Sequence, residues 1–457
     1  MSVEPGAEGR DLPPEFIELI QTLFGDAADQ ALEAFRQADL NPDELLQAAD
    51  LGTDPQAFAV MARQVRQFLA QTDGSPGISP KIVHDAARAA ALSRGPAVEP
   101  TWDEVSTVQE AFKVADLWLD QSTELDAPSG PVSAISPTGW IDATLERWQR
   151  LTRPVAESMI AAMTNLLDQQ TRDHPGLGPL PGEANQALSG MAGPLFSMQI
   201  GQALGLMSRE VFGYSDTGLP LAEPGAVALA PAAVAEFARQ AQVPADEVRL
   251  FLASRESAHA RLLQHVPWLA DRLMSAVETY AAGVKIDLEQ LEQAMRELEG
   301  ANPAAIRQAL ASGVFAPVLT ERQKTALNNM ETALALVEGW VSVVTEQALR
   351  RNLPDIASLS EMMRRRRATG GPAEHAMATL AGLELRPRRA RQAGQLWHNL
   401  TEQLGPLERD QLWSHPDLLP SSEDLDDPEH FLERRAARAK ADEAIDAEIA
   451  AFFDELD

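Results

Sequence analysis

Not one cysteine occurs among the 457 residues. Disulfide scaffolds, thiolate zinc sites and thiol nucleophiles are therefore excluded at the outset. Aromatic residues are scarce, at 5%, and only two of them are tyrosine. With Ala and Leu dominating the middle of the chain, that scarcity favours helix over sheet. Lysine is nearly missing, so almost all of the 38 basic side chains are guanidinium groups. A basic excess is missing too, because 68 acids bring the net charge to −30. A nucleic-acid surface needs the opposite balance, and no nucleic-acid partner is expected.

Long apolar runs are also lacking. The nearest, Ala187 to Met207, is broken by Ser189, Pro194, Gln199 and Gln202. It reads as a buried helix and not as a membrane span. The opening MSVEPGAEGRDLPPEF has neither the basic start nor the apolar stretch of a secretory signal. The expectation is a cytoplasmic protein with no membrane partner. No G-x-S-x-G elbow is present, which removes the commonest serine-hydrolase signature.

What is present is helical pattern. Residues 1–12 are polar and Gly/Pro-containing and read as disordered. Residues 13–72 read as a small helical unit, and TDGSPGISP (Thr72 to Pro80) as a linker. A larger helical domain is expected over 79–435, followed by an acidic, mobile amphipathic tail over 436–457. HPGLGPLPGE (His174 to Glu183) is a second connection; its glycines do not open a helix in a βαβ context, so it is no phosphate loop. One strand candidate stands out, GAVALAP, Gly225 to Pro231. The fold class is thus all-α, with at most one or two short strands near 225–231.

Asp246 is placed to cap a helix running to about His265, where Pro267 ends or kinks it. Thr320 and Gln323 form a capping-box pattern opening a long helix to about Arg350. Further helices are expected at 355–367, 372–381, 387–404 and 406–414. Trp102, Trp118, Trp140 and Trp148 read as core. Gly201 and Gly205, four apart, permit a close helix contact. The arginine runs Met363 to Ala368 and Arg386 to Gln392 read as solvated helix faces paired with the chain's own acids, the segment beyond Ser421 above all.

The segment that carries chemistry is RESAHARLLQHVPWL, Arg255 to Leu269. Two His four apart on a helix project from one face and can share a Zn²⁺, with a Glu after the first as general base. Here the pattern is R-E-x-x-H: Glu256 and His259 are in place, and Arg255 stands at the first ligand position. The other histidines (84, 174, 265, 375, 398, 415 and 430) are scattered, and His265 lies one and a half turns beyond His259.

The run ESAHARLLQHVPWLADRL, with LALVEGWVSVV (Leu334 to Val344) and LGPLERDQLWSHPDLLPSSEDL downstream, resembles the actinobacterial zincin-like metallopeptidases. Some relatives in that family are labelled as associated with deazaflavin-coenzyme biosynthesis. ISPTGWIDATLERW and SREVFGYSDTGLPL also resemble it, and the likeness covers roughly residues 80–430. It implies a zinc-dependent hydrolase of peptide bonds, with His259 as a zinc imidazole, Glu256 as general base and Glu338 in VEGW as the carboxylate ligand. Arg255 departs from the H-E-x-x-H pattern. A guanidinium has no lone pair to offer a metal, and catalytic zinc normally takes three protein ligands. Three functions stay open: an active zinc peptidase with an unconventional ligand set, a metal-free pseudopeptidase binding peptides or proteins, or a structural helical protein. A cleft open to solvent beside Glu256 would separate the second from the third.

Spacing adds a geometric expectation. Val248, Phe251, Leu252, Arg255, Ala258, His259, Leu262 and Val266 trace one apolar helix face, so Arg255 and His259 should point inward. A core-facing guanidinium needs a partner. Glu338, beside the stripe Leu334, Val337 and Val341, is the expected one, with Glu256 as a further carboxylate in reach.

Overall fold

The computed structural model describes residues 78–173, 182–281, 320–370 and 388–454. The stretch expected to be disordered at 1–12, the expected unit at 13–72, most of the expected linker and the helix expected at 372–381 lie outside the described residues.

Helix α1 (Pro80–Ser93) starts on Ser79, whose hydroxyl accepts from the Ile82 amide. Helix α2 (Trp102–Leu119) opens on a reciprocal Thr101/Glu104 capping box. Strand β1 (Val132–Ala134) precedes α3 (Pro137–Asp173) and α4 (Gly182–Met207). The interrupted apolar run is thus the body of a helix. Strand β2 (Val227–Leu229) lies inside the sequence-marked segment and pairs with β1 in parallel, Val132 opposite Val227 and Ala134 opposite Leu229. Its partner strand was not foreseen, since VSA is too short to show a period. Helices α5 (Pro231–Ala241), α6 (Ala245–His265), α7 (Pro267–Ala281) and α8 (Glu321–Leu349) follow, then α9 (Ile356–Thr369), α10 (Ala390–Gln411), α11 (Ser422–Asp426) and α12 (Phe431–Asp454). The chain is mostly helical, as read from sequence.

Three details differ from expectation. Helix α6 begins after Pro244 with no side-chain cap, and Asp246 sits with Glu247 in the first turn. There the two carboxylates meet the positive end of the helix dipole. Trp102 is not core: it is 81% exposed. The buried stripe of α2 is Val108, Ala111, Phe112, Ala115 and Leu119, and Trp102 falls well off it at 100° per residue. Trp118 is half-buried, while Trp140 and Trp148 are buried as expected. The two helices expected over 387–414 join into α10, which kinks at Gly405 where φ is +82°.

Helix α6 is the pivot of the fold. Val248, Phe251, Leu252 and Ala253 belong to one apolar cluster, with α2, β2 and Phe237 of α5. Ala258, Leu262 and Val266 belong to a larger one, with α3, α7, α8 and α10. Arg255, Glu256 and His259 therefore stand where the two clusters join. Close helix contacts hold the surroundings in place. A Cβ on Gly201 of α4 would lie 2.5 Å from the Val83 carbonyl of α1, and one on Gly339 of α8 would lie 2.6 Å from the Gly394 amide of α10.

Candidate functional site

Every side chain of the R-E-x-x-H motif that bears chemistry is buried: Arg255 is 7% exposed, Glu256 5% and His259 3%. Glu338 of α8 is 4% exposed and reaches the same place. A core-facing run on α8, from Ala333 to Val341, carries it there.

Arg255 donates from Nη2 to Glu338 Oε1 at 2.5 Å. Its Nη1 reaches Ser342 Oγ at 3.3 Å. The second oxygen of Glu338 is also taken. Arg367, in the last turn of α9, donates to Oε2 from Nη2 at 3.0 Å and from Nε at 3.3 Å. Burial alone would push the Glu338 carboxyl up, but the Arg255 and Arg367 charges outweigh it and hold the group at about 2.

Arg367 was read as part of a solvated run, and that reading is corrected. Arg364 and Arg365 do face water and pair with Glu361. Arg366 and Arg367 turn inward, because the C-terminal turn of α9 lies over the site. Arg366 bonds both oxygens of Asp216, at 3.1 and 3.0 Å, and its guanidinium carbon sits 4.1 Å from the Phe212 ring centre. These charges hold Asp216 below the usual carboxylate range despite its burial. In the other run, Arg389 reaches Ser422 and Asp426 beyond Ser421, the kind of partner foreseen.

Glu256 makes no ion pair with Arg255, which corrects the expectation that Arg255 holds it. Its oxygens accept instead from three backbone amides: Tyr214 at 2.8 Å, Ser215 at 3.0 Å and Ala228 of β2 at 3.3 Å. The carboxyl thus ties the 212–216 loop and β2 to α6. Burial pushes it up to about 7, against those amides and helped by Asp216.

His259 Nδ1 lies 2.9 Å from the Arg255 carbonyl oxygen, one turn back. That oxygen can only accept, so Nδ1 carries the proton and Nε2 presents a lone pair. Nε2 is buried without a hydrogen-bond partner, 3.9 Å from Glu338 Oε2. Burial, with the Arg255 and Arg367 charges, lowers His259 to about 4, and Glu338 only partly opposes this. The ring is neutral at pH 7.

A zinc ion would find few donors here. The His259 tautomer suits a metal, but only His259 and Glu338 converge, and both Glu338 oxygens already accept from cations. No group of three or more His, Asp or Glu able to hold a metal occurs among the described residues. None of the described histidines compensates: His265 bonds the Asp126 carbonyl, and His84, His398 and His430 pair with surface acids. A dication does not fit this donor set. The cavity between Phe212, Leu229, Leu252, Met363 and the motif side chains has free space on the order of one water molecule. Among the described residues, this cavity is too small to receive a peptide at Glu256.

The sequence profile described as zincin-like metallopeptidase matches residues 78–432. Among solved structures, the fold is similar to one titled as a putative hydrolase with a novel fold from Chloroflexus aurantiacus. The TM-score is 0.55 at 16% identity, covering 79% of this chain and 99% of that one, so the likeness concerns the fold. No curated protein matches the chain. No described helix is long and apolar enough to cross a membrane.

Proposed function

The chain belongs to the zincin-like metallopeptidase family, and from that premise we propose that it is a metal-free member without peptidase activity, a structural helical protein built on the inherited fold. One observation carries the reading: a guanidinium, Arg255, bonds Glu338 where the family motif would place a metal-binding imidazole. The rest of the machinery is engaged in structure. Glu256 accepts from three backbone amides of the scaffold, which fix its carboxylate in place. With room for about one water, the cavity admits no peptide.

A single observation favours the active reading. The bare lone pair of His259 Nε2 is what a zinc ligand would show. Elemental analysis of the purified full chain separates the two. Well under one zinc per chain is expected, and no peptide hydrolysis that an E256Q variant abolishes. One equivalent of tightly held zinc, lost on His259→Ala, would establish the peptidase instead.

A further inference from the structure

This inference rests on the metal-free reading and deepens it. A zinc ion would bring two positive charges and would need the Glu338 carboxylate and the His259 imidazole as ligands. Arg255 supplies one charge and binds Oε1 of Glu338. The oxygen that faces His259 is the other one, Oε2, 3.9 Å from Nε2. That oxygen belongs to Arg367, through two N–H donors.

We propose that Arg367 is the second half of the cation replacement, so that two guanidiniums from two helices carry the charge a divalent metal would bring and bar its return. The division of labour follows from position. Arg255 lies one turn before His259 on α6 and removes the first ligand. Arg367 comes from α9, some hundred residues later in the chain, and closes the remaining edge between the imidazole and the carboxylate. Its guanidinium is as buried as its partner, with side chains 7% and 6% exposed, so its charge is poorly screened. Arg366 in the same turn is fixed on Asp216, which keeps Arg367 directed at Glu338. A metal placed between Nε2 and Oε2 would displace Arg367 from its oxygen and leave that charge beside a dication. Restoring the first imidazole alone therefore does not restore the metal site.

The test is cobalt(II) titration of the full chain, followed by the visible bands of tetrahedral Co²⁺, with equilibrium dialysis against zinc. Wild type, R255H and R255H/R367Q are compared. The double variant should take one equivalent, at least about tenfold tighter than R255H, the range of neighbouring-group effects on metal affinity. R255H binding one equivalent as tightly as the double variant would overturn the proposal. So would a folded double variant that takes none. Metal bound by wild type sinks the metal-free reading itself, whereas a metal-free wild type with a fully loaded R255H sinks only the role of Arg367. Should the double variant not fold, the stability cycle of R367Q, E338Q and R367Q/E338Q decides. Strong coupling supports the proposal, and none refutes it.

Discussion

Arg255→Met keeps most of the side-chain length and apolar stem while removing the charge. The change deletes the 2.5 Å bond to Glu338 Oε1 and the longer one to Ser342. Removing one partner of an isolated buried ion pair costs about 3–5 kcal/mol. Glu338 is not isolated, since Arg367 stays on Oε2. The loss is then nearer that of one charge-assisted hydrogen bond with a partly stranded acceptor, about 2–3 kcal/mol. Glu338→Gln is the harsher change, for it leaves two buried guanidiniums facing a neutral amide, and about 3–5 kcal/mol is expected. Urea unfolding followed by circular dichroism at pH 7 measures both, provided the slopes match wild type. The order E338Q above R255M is the decisive part. Equal costs, or an R255M cost within about 0.5 kcal/mol of zero, would refute a shared, buried carboxylate. The pH dependence adds a check. Glu338 titrates at about 2 against an ordinary 4.5, so its contribution is complete above pH 4.5 and disappears as pH falls toward 2. The gap between wild type and E338Q should narrow over that fall.

His259 gives a second pH signature. Its folded value, about 4 against 6.5, means that stability is full above pH 6.5 and lost as pH falls through 4, by up to about 3 kcal/mol. Glu256 titrates in the same window with the opposite sign, but it is retained in H259Q. The wild-type curve should therefore drop relative to H259Q on acidification, and parallel curves would contradict the buried neutral imidazole. The end of the chain should matter little. Helix α12 is anchored by Phe431 and by Arg434 on Asp424 and Asp427, while the described residues from Ala436 to Ile445 are exposed. Deleting 436–457 should leave the melting temperature nearly unchanged; a fall of many degrees would show a packed element.

Periodicity and capping chemistry settled the helical class, the opening of α8 at Thr320 and the end of α6 at Pro267, because these depend on neighbours within a turn or two. The apolar face of α6 was equally readable, and with it the inward direction of Arg255 and His259. Family likeness of the motif and of VEGW supplied Glu338. Arg367 could not be found this way. Four arginines in a row look alike in sequence, and only the lie of the last turn of α9 over the site separates Arg364 and Arg365 in water from the half-buried Arg366 and the buried Arg367. The amide cradle of Glu256 was hidden for the same reason, since Tyr214, Ser215 and Ala228 donate through backbone that any residue has. The pairing of β1 with β2 also joins segments almost a hundred residues apart, with too few residues for a pattern. The sequence by itself determined the helical class and the inward direction of Arg255 and His259 on α6. Only the tertiary structure decided which oxygen each cation holds, because that depends on the meeting of helices distant in the chain.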